Sequence, residues 1–180
     1  AIGIAIAMMA GPTMADEATN FYKGRNVTMI IGAGAGGGYD TYSRVLGRHM
    51  GRHIPGNPNI VPQNMRGGGS IKAANYTYNV AAKNGAVFAA VFNTLPFAPI
   101  VGKKGPKFDI HKMAWIGSIG KHQNICATWH TSKTKTLQDA QNMETIVAGT
   151  GATSNAAVYP RLLNQSLGTK FKVVLGYKSS

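Results

Sequence analysis

The sequence predicts an α/β protein built on parallel sheet, and three observations carry that prediction. Short apolar runs are followed by glycine clusters and then by stretches with helical periodicity. That unit recurs along the chain. The runs themselves, Val27-Thr28-Met29-Ile30-Ile31 first among them, are nearly continuous in apolar residues, as strands covered on both faces are. A length of 180 residues with 44% hydrophobic content suffices for one domain or two small ones with a real core, which excludes collagen-like and disordered chains.

The elements follow in order. Residues 1–10, AIGIAIAMMA, are too short to cross a bilayer as a helix. Gly11-Pro12 and the small residues Thr13 and Ala15 come next, so residues 1–15 read as the remnant of a secretory signal cleaved after Ala15, and the mature protein as exported to the periplasm. Residues 16–122 read as a first α/β lobe. Its strand Val27–Ile31 ends in the glycine loop Gly32–Gly38 and leads to a helix over Asp40–Met50 with Tyr42, Val45, Leu46 and Met50 turned inward. Pro55-Gly56-Asn57-Pro58 is a turn, Asn59–Asn64 a second strand, and Gly67-Gly68-Gly69 a second loop. A helix then runs from Ser70, its expected N-cap, to Asn79, with Ile71, Ala74 and Tyr78 inward. Val87–Phe92 is a third strand ending at Asn93-Thr94, and Trp115–Ile119 a fourth, after a basic connection holding Lys103, Lys104 and Lys107.

Residues 123–180 read as a second α/β lobe, truncated. Strand Ile125–Trp129, helix Leu137–Asn142, strand Thr145–Ala148, loop Gly149–Thr153, helix Ser154–Leu167 and strand Phe171–Leu175 are expected there, with Pro160 kinking the last helix or making it irregular. The sheet of this lobe is unfinished where the sequence stops.

Charge narrows the chemistry. Nineteen Lys and Arg against six Asp and Glu give a formal +13 while only 14% of residues are charged, a sparse but one-signed surface that favours an anionic partner. Glycine loops between strand and helix suit that role. The first N–H groups of a helix have no intrahelical acceptor, and glycine lets an anion reach them. Gly32 to Gly37 also matches G-x-G-x-x-G, so a nucleotide-dependent oxidoreductase using that loop is the alternative reading. Against it, no Asp or Glu lies between Asp40 and Asp109, where the ribose-binding acid belongs.

Other candidates carry less. Asp40 is better suited to cap the glycine loop than to meet an anion that its own charge repels. His49 and His53 have metal-ligand spacing but no third ligand, and Cys126, the single cysteine, has no base near it in sequence, so neither a metal nor a nucleophilic catalytic residue is assigned. Tyr76, Tyr78, Trp115 and Trp129 read as core or cleft-wall residues, because the basic residues do not interleave with them in a nucleic-acid-binding pattern.

Phe21-Tyr22-Lys23-Gly24, the strand before Gly36-Gly37-Gly38-Tyr39-Asp40, Gln63-Asn64-Met65 before Gly67-Gly68-Gly69, and Gly149-Thr150-Gly151 stand in an order that resembles the periplasmic solute-binding receptors of tripartite tricarboxylate transporters, the Bug family. The resemblance runs from Phe21 to about Tyr177. It implies a two-lobed fold like that of type II periplasmic binding proteins, with the second lobe incomplete here. It further implies a monomer without cofactor or metal that captures a small organic carboxylate and hands it to membrane permease subunits, with no enzymatic activity and no nucleic-acid partner. Carried onto this chain, the ligand-binding residues are Gly36, Gly37, Gly38, Asp40 and Thr41 in one jaw and Thr150, Gly151, Ala152, Thr153 and Ser154 in the other. Gly68, Gly69, Ser70, Asn93 and Thr94 line the first lobe's side of the cleft. Arg66 stands where the family commonly has Pro and Gly68 where it often has Ala, which makes the second loop locally cationic.

Overall fold

The computed structural model describes residues 14–98, 105–121 and 123–177. The expected signal segment lies outside the described residues but for Met14 and Ala15, which open a helix, α1 (Met14–Tyr22). His122 and the lysines Lys103 and Lys104 also lie outside.

β1 (Asn26–Ile31) is the central strand of a three-stranded parallel sheet of order β2-β1-β3, with β2 at Asn59–Asn64 and β3 at Val87–Ala90. Central placement explains its composition: Met29, Ile30 and Ile31 are fully buried, side chains on both faces included. α2 (Gly38–Met50) connects β1 to β2 and α3 (Ile71–Asn79) connects β2 to β3. The core gathers Val27, Met29, Ile31, Ile60 and Phe92, with Tyr22, Tyr39 and Met50 packed against it.

α2 meets the sheet through small residues, and the expected inward face is corrected on that account. Tyr42 and Val45 are exposed, while Asp40, Ser43 and Gly47 are buried. A Cβ on Gly47 would stand 3.0 Å from Met29 Cε and 3.4 Å from Ile60 Cγ2, so a larger residue there would push the helix off the sheet. α3 likewise buries Ala73 and Ala74, while Ile71 and Tyr78 are half-buried.

A second parallel pair, β4 (Thr145–Gly149) and β5 (Phe171–Leu175), is joined through α5 (Asn155–Leu167) and preceded by α4 (Leu137–Asn142). α4 starts at a capping box, with Asp139 N–H donating to Thr136 Oγ1 at 3.1 Å and Asp139 Oδ2 accepting from Thr136 N–H at 2.9 Å. α5 runs through Pro160 unbroken, and that proline is buried.

Two expected strands are absent. Residues 115–119 and 125–129 are irregular, and no neighbouring strand lies beside them among the described residues. A strand exists only as part of a ladder, so strand-like composition without a partner leaves the backbone irregular. Trp115 and Trp129 are accordingly exposed rather than in the core, at 52% and 74%. β3 ends at Ala90, two residues earlier than expected.

Candidate functional site

The three loops that leave the carboxyl ends of β2, β1 and β3 lie together. Because β2 and β3 flank β1 on opposite sides, the chain's connections diverge between β1 and β3. Such a switch point is where open parallel sheets accept ligands. The β1 loop, Gly32–Gly37, is braced by Asp40. One carboxylate oxygen accepts from Gly36 N–H at 2.9 Å; the other accepts from Arg44 Nε at 2.9 Å and Asn64 Nδ2 at 2.8 Å. Asn64 Nδ2 also donates to Ala33 O at 3.1 Å, and Arg44 Nη2 to Asn64 Oδ1 at 2.7 Å. Burial opposes the charge on Asp40, but these bonds outweigh it and hold the carboxyl below its ordinary range. Asp40 thus serves the loop, as its sequence position suggests, although the N-cap is Gly37 and Asp40 sits three residues on. The same network bears on the nucleotide reading: the residue at the end of β2 is Asn64, an amide already engaged, and not a free acid.

Thr41 N–H is the first amide to reach an α2 carbonyl, Gly37 O at 2.9 Å, so those of Gly38, Tyr39 and Asp40 have no intrahelical acceptor. Gly38 is exposed, and a Cβ placed on it would meet nothing within 4 Å, so the helix head is uncrowded at that residue, while Tyr39 is half-buried and Asp40 buried. Tyr39 donates its hydroxyl to Asn93 Oδ1 at 3.0 Å. Burial raises its pKa, and the neighbouring Tyr159 of α5 adds to the rise.

The β2 loop is unusual in its backbone. Gly67, Gly68, Gly69 and Ser70 all have positive φ, Ser70 at 76°, a conformation that costs a side-chain-bearing residue energy. Ser70 stands at the N-cap of α3, as expected, but its side chain makes no capping bond. Its hydroxyl donates to Gly32 O at 3.0 Å and accepts from Phe92 N–H at 3.1 Å, tying the ends of β1 and β3 to the β2 loop.

The β4 loop packs directly on this one. Thr153 Oγ1 is 2.7 Å from both Gly68 O and Gly69 O, and Thr94 Oγ1 donates to Thr153 O. A Cβ on Gly151 would stand 2.8 Å from Gly68 C, and one on Gly69 would stand 2.9 Å from Ser154 N. Only glycine permits this approach. Ser154, the N-cap of α5, donates its hydroxyl to Gly151 O at 2.8 Å. The first amide bonded i to i−4 in α5 is that of Val158, to Ser154 O, which leaves those of Asn155 and Ala156 without intrahelical acceptors. Asn155 Oδ1 is buried with no partner, while its Nδ2 donates to Asn124 Oδ1 at 2.8 Å.

The residues expected at the site therefore divide. Gly36, Gly37, Gly38 and Asp40 form the braced loop with Asn93 at its edge, while Gly69, Ser70, Thr94, Gly151, Thr153 and Ser154 form a buried seam between loops, with Gly68 at its exposed margin. Thr150 is exposed, Ala152 O accepts from Arg161 at 3.2 Å, and Thr41 faces a separate groove between α2 and β2. Tyr39, Arg44, Asn64 and Asn155 join the site from outside the expected set. Asn64 belongs to the Gln63-Asn64-Met65 motif, but only the sheet register brings it to Asp40.

Among the described residues no three His, Cys, Asp or Glu stand close enough to hold a metal. His49 and His53 instead flank the Arg52 guanidinium, at 3.0 and 3.3 Å. Cys126 is exposed and free. No described helix is long and apolar enough to cross a membrane.

No family model matches the chain. It is similar to a protein of Agrobacterium vitis described as "UPF0065 protein in the TAR-I ttuE-ttuC' intergenic region", at 28% identity over 178 residues, which cover 88% of this chain and 46% of that protein. The chain thus spans about half the length of its curated relative.

Proposed function

We propose that the protein is a non-catalytic solute-binding receptor, periplasmic and two-lobed, which captures a small organic carboxylate and delivers it to the permease of a tripartite tricarboxylate-type transporter. One observation carries the reading: the amides without intrahelical acceptors at the head of α2, on a loop that Asp40 holds rigid, beside a seam that joins this loop system to the head of α5. A carboxylate accepts from such amides more strongly than a neutral group does, since an ionised acceptor about doubles the strength of the bond. Asp40 is held away from them, because its two oxygens are engaged by Gly36, Arg44 and Asn64.

Glycines suit this role and serine or cysteine catalysis does not enter it. Thr153 acts by closing the seam, and its hydroxyl reaches the ligand only if the seam opens. The test is a thermal-shift series on the protein with succinate, citrate and their amides, and with NAD and NADP. A ligand that binds only the native state raises the melting temperature with concentration. Stabilisation by an acid and not by its amide is expected; stabilisation by a dinucleotide alone would replace this reading with the oxidoreductase one.

A further inference from the structure

A groove of about 830 Å³ lies between α2 and the outer edge of β2. Arg44, Arg48 and Arg52 line it at four-residue intervals. Four residues of α-helix advance about 6 Å between Arg44 and Arg48, and Arg52 follows in the 3-10 turn Gly51–His53 that continues α2, so the three residues stand in succession along one wall. Arg44 is paired with Asp40, whereas Arg48 and Arg52 are exposed and have no carboxylate within ion-pair distance among the described residues. Arg52 is bonded to the rings of His49 and His53. Two exposed arginines that line one groove without a carboxylate partner among the described residues suit an anion.

The opposite wall is backbone. Asn59 N–H donates to Arg25 O and Met65 N–H to Ile31 O, so residues 59, 61 and 63 turn their main-chain groups toward β1. Residues Ile60, Pro62 and Asn64 therefore turn theirs outward, where the sheet order leaves the edge open. Ile60 and Asn64 offer N–H and C=O, and Pro62 offers C=O alone. Alternate residues of an extended chain lie about 6.6 Å apart, close to the step between the arginines.

We propose that this groove binds a short extended segment of a partner protein with acidic residues at alternate positions. Its main chain adds to the β2 edge while its carboxylates meet Arg48 and Arg52. Charge complementarity selects that occupant. A second copy would set one arginine row against another and one Pro62 against another, and Pro62 interrupts any long ladder, as edge prolines do. No aromatic side chain lines the groove to stack a base, which disfavours single-stranded nucleic acid.

The test uses a fluorescent eight-residue peptide alternating Asp and Thr, read by anisotropy at low salt, with an eight-residue thymidine oligonucleotide as competitor. Arg48→Gln with Arg52→Gln, and separately Arg48→Glu with Arg52→Glu, change exposed side chains that hold no structural bond to the core. Arg44 is left in place because it braces Asp40. Lys121→Glu with Lys133→Glu, at residues that do not line the groove, matches the net-charge change of the Arg→Glu pair. The expected result is binding to the unaltered protein, weakened at least tenfold by both groove variants and less than twofold by the lysine pair. Slowed hydrogen exchange at the amides of Ile60 and Asn64 with peptide bound is also expected. Absence of binding, equal weakening by the lysine pair, unchanged exchange at those two amides, or tighter groove-dependent binding of the oligonucleotide would overturn the proposal.

Discussion

Asp40 shows how one side chain sets the condition of a loop. Its carboxylate is a buried acceptor for three donors, one of them the main-chain amide of Gly36, which at φ 85° has a conformation that only glycine adopts readily. The folded pKa is lowered, so the stabilisation it confers is complete above the unfolded value of about 3.9 and is lost as pH falls below that toward the depressed folded value. Asp40→Ala leaves the Arg44 and Asn64 donors facing no acceptor, at a cost of about 2 kcal/mol near neutral pH, the scale of a charged hydrogen bond. Urea denaturation of both proteins from pH 7 to pH 2 checks this: the gap between them should be constant above about pH 5 and shrink below about pH 4. A gap independent of pH would mean that Asp40 acts through packing rather than charge.

At the scale of elements, the seam between the β2 and β4 loops is the most demanding feature. Thr153→Val removes a hydroxyl that serves Gly68 O and Gly69 O and should cost about 1–2 kcal/mol. Gly69→Ala, at φ 72° and against Ser154 N, should cost more, because both backbone and neighbour must move. Thermal melting of the two variants ranks them, and an equal or reversed order would contradict the geometry described.

Most elements were legible in the sequence where local periodicity and tertiary packing agree. The strands at 27–31, 59–64, 145–148 and 171–175 are apolar or bounded by glycine and proline, and each has a partner in parallel register. The strands expected at 115–119 and 125–129 have the same local signal without a neighbour, and pairing is not written locally. The face of α2 was misassigned for a different reason: Ser43 and Gly47 pack on the sheet because they are small, which a count of apolar residues overlooks. In the site, the glycine loops were legible as the strand-to-helix connections at the heads of α2 and α5, whereas Ser70, the expected cap, holds strand ends together through bonds to residues 38 and 22 positions away.

For the whole molecule, charge and topology point the same way. A formal +13 with three ion pairs among the described residues leaves most cations free, and the loops at the carboxyl ends of both parallel sheets meet where helix amides lack intrahelical acceptors. On the proposed function, these amides, and not side-chain cations, receive the carboxylate. The direct measurement is a ¹⁵N-resolved NMR titration with the most stabilising acid of the thermal-shift series, comparing the amides of Gly38, Tyr39, Asn155 and Ala156 with those of Ile60 and Arg52, which line the arginine groove. The account predicts saturable shifts at the first four and none at the last two. An acid that saturates the protein while leaving Gly38 and Tyr39 unmoved, or that shifts only the groove amides, would contradict it.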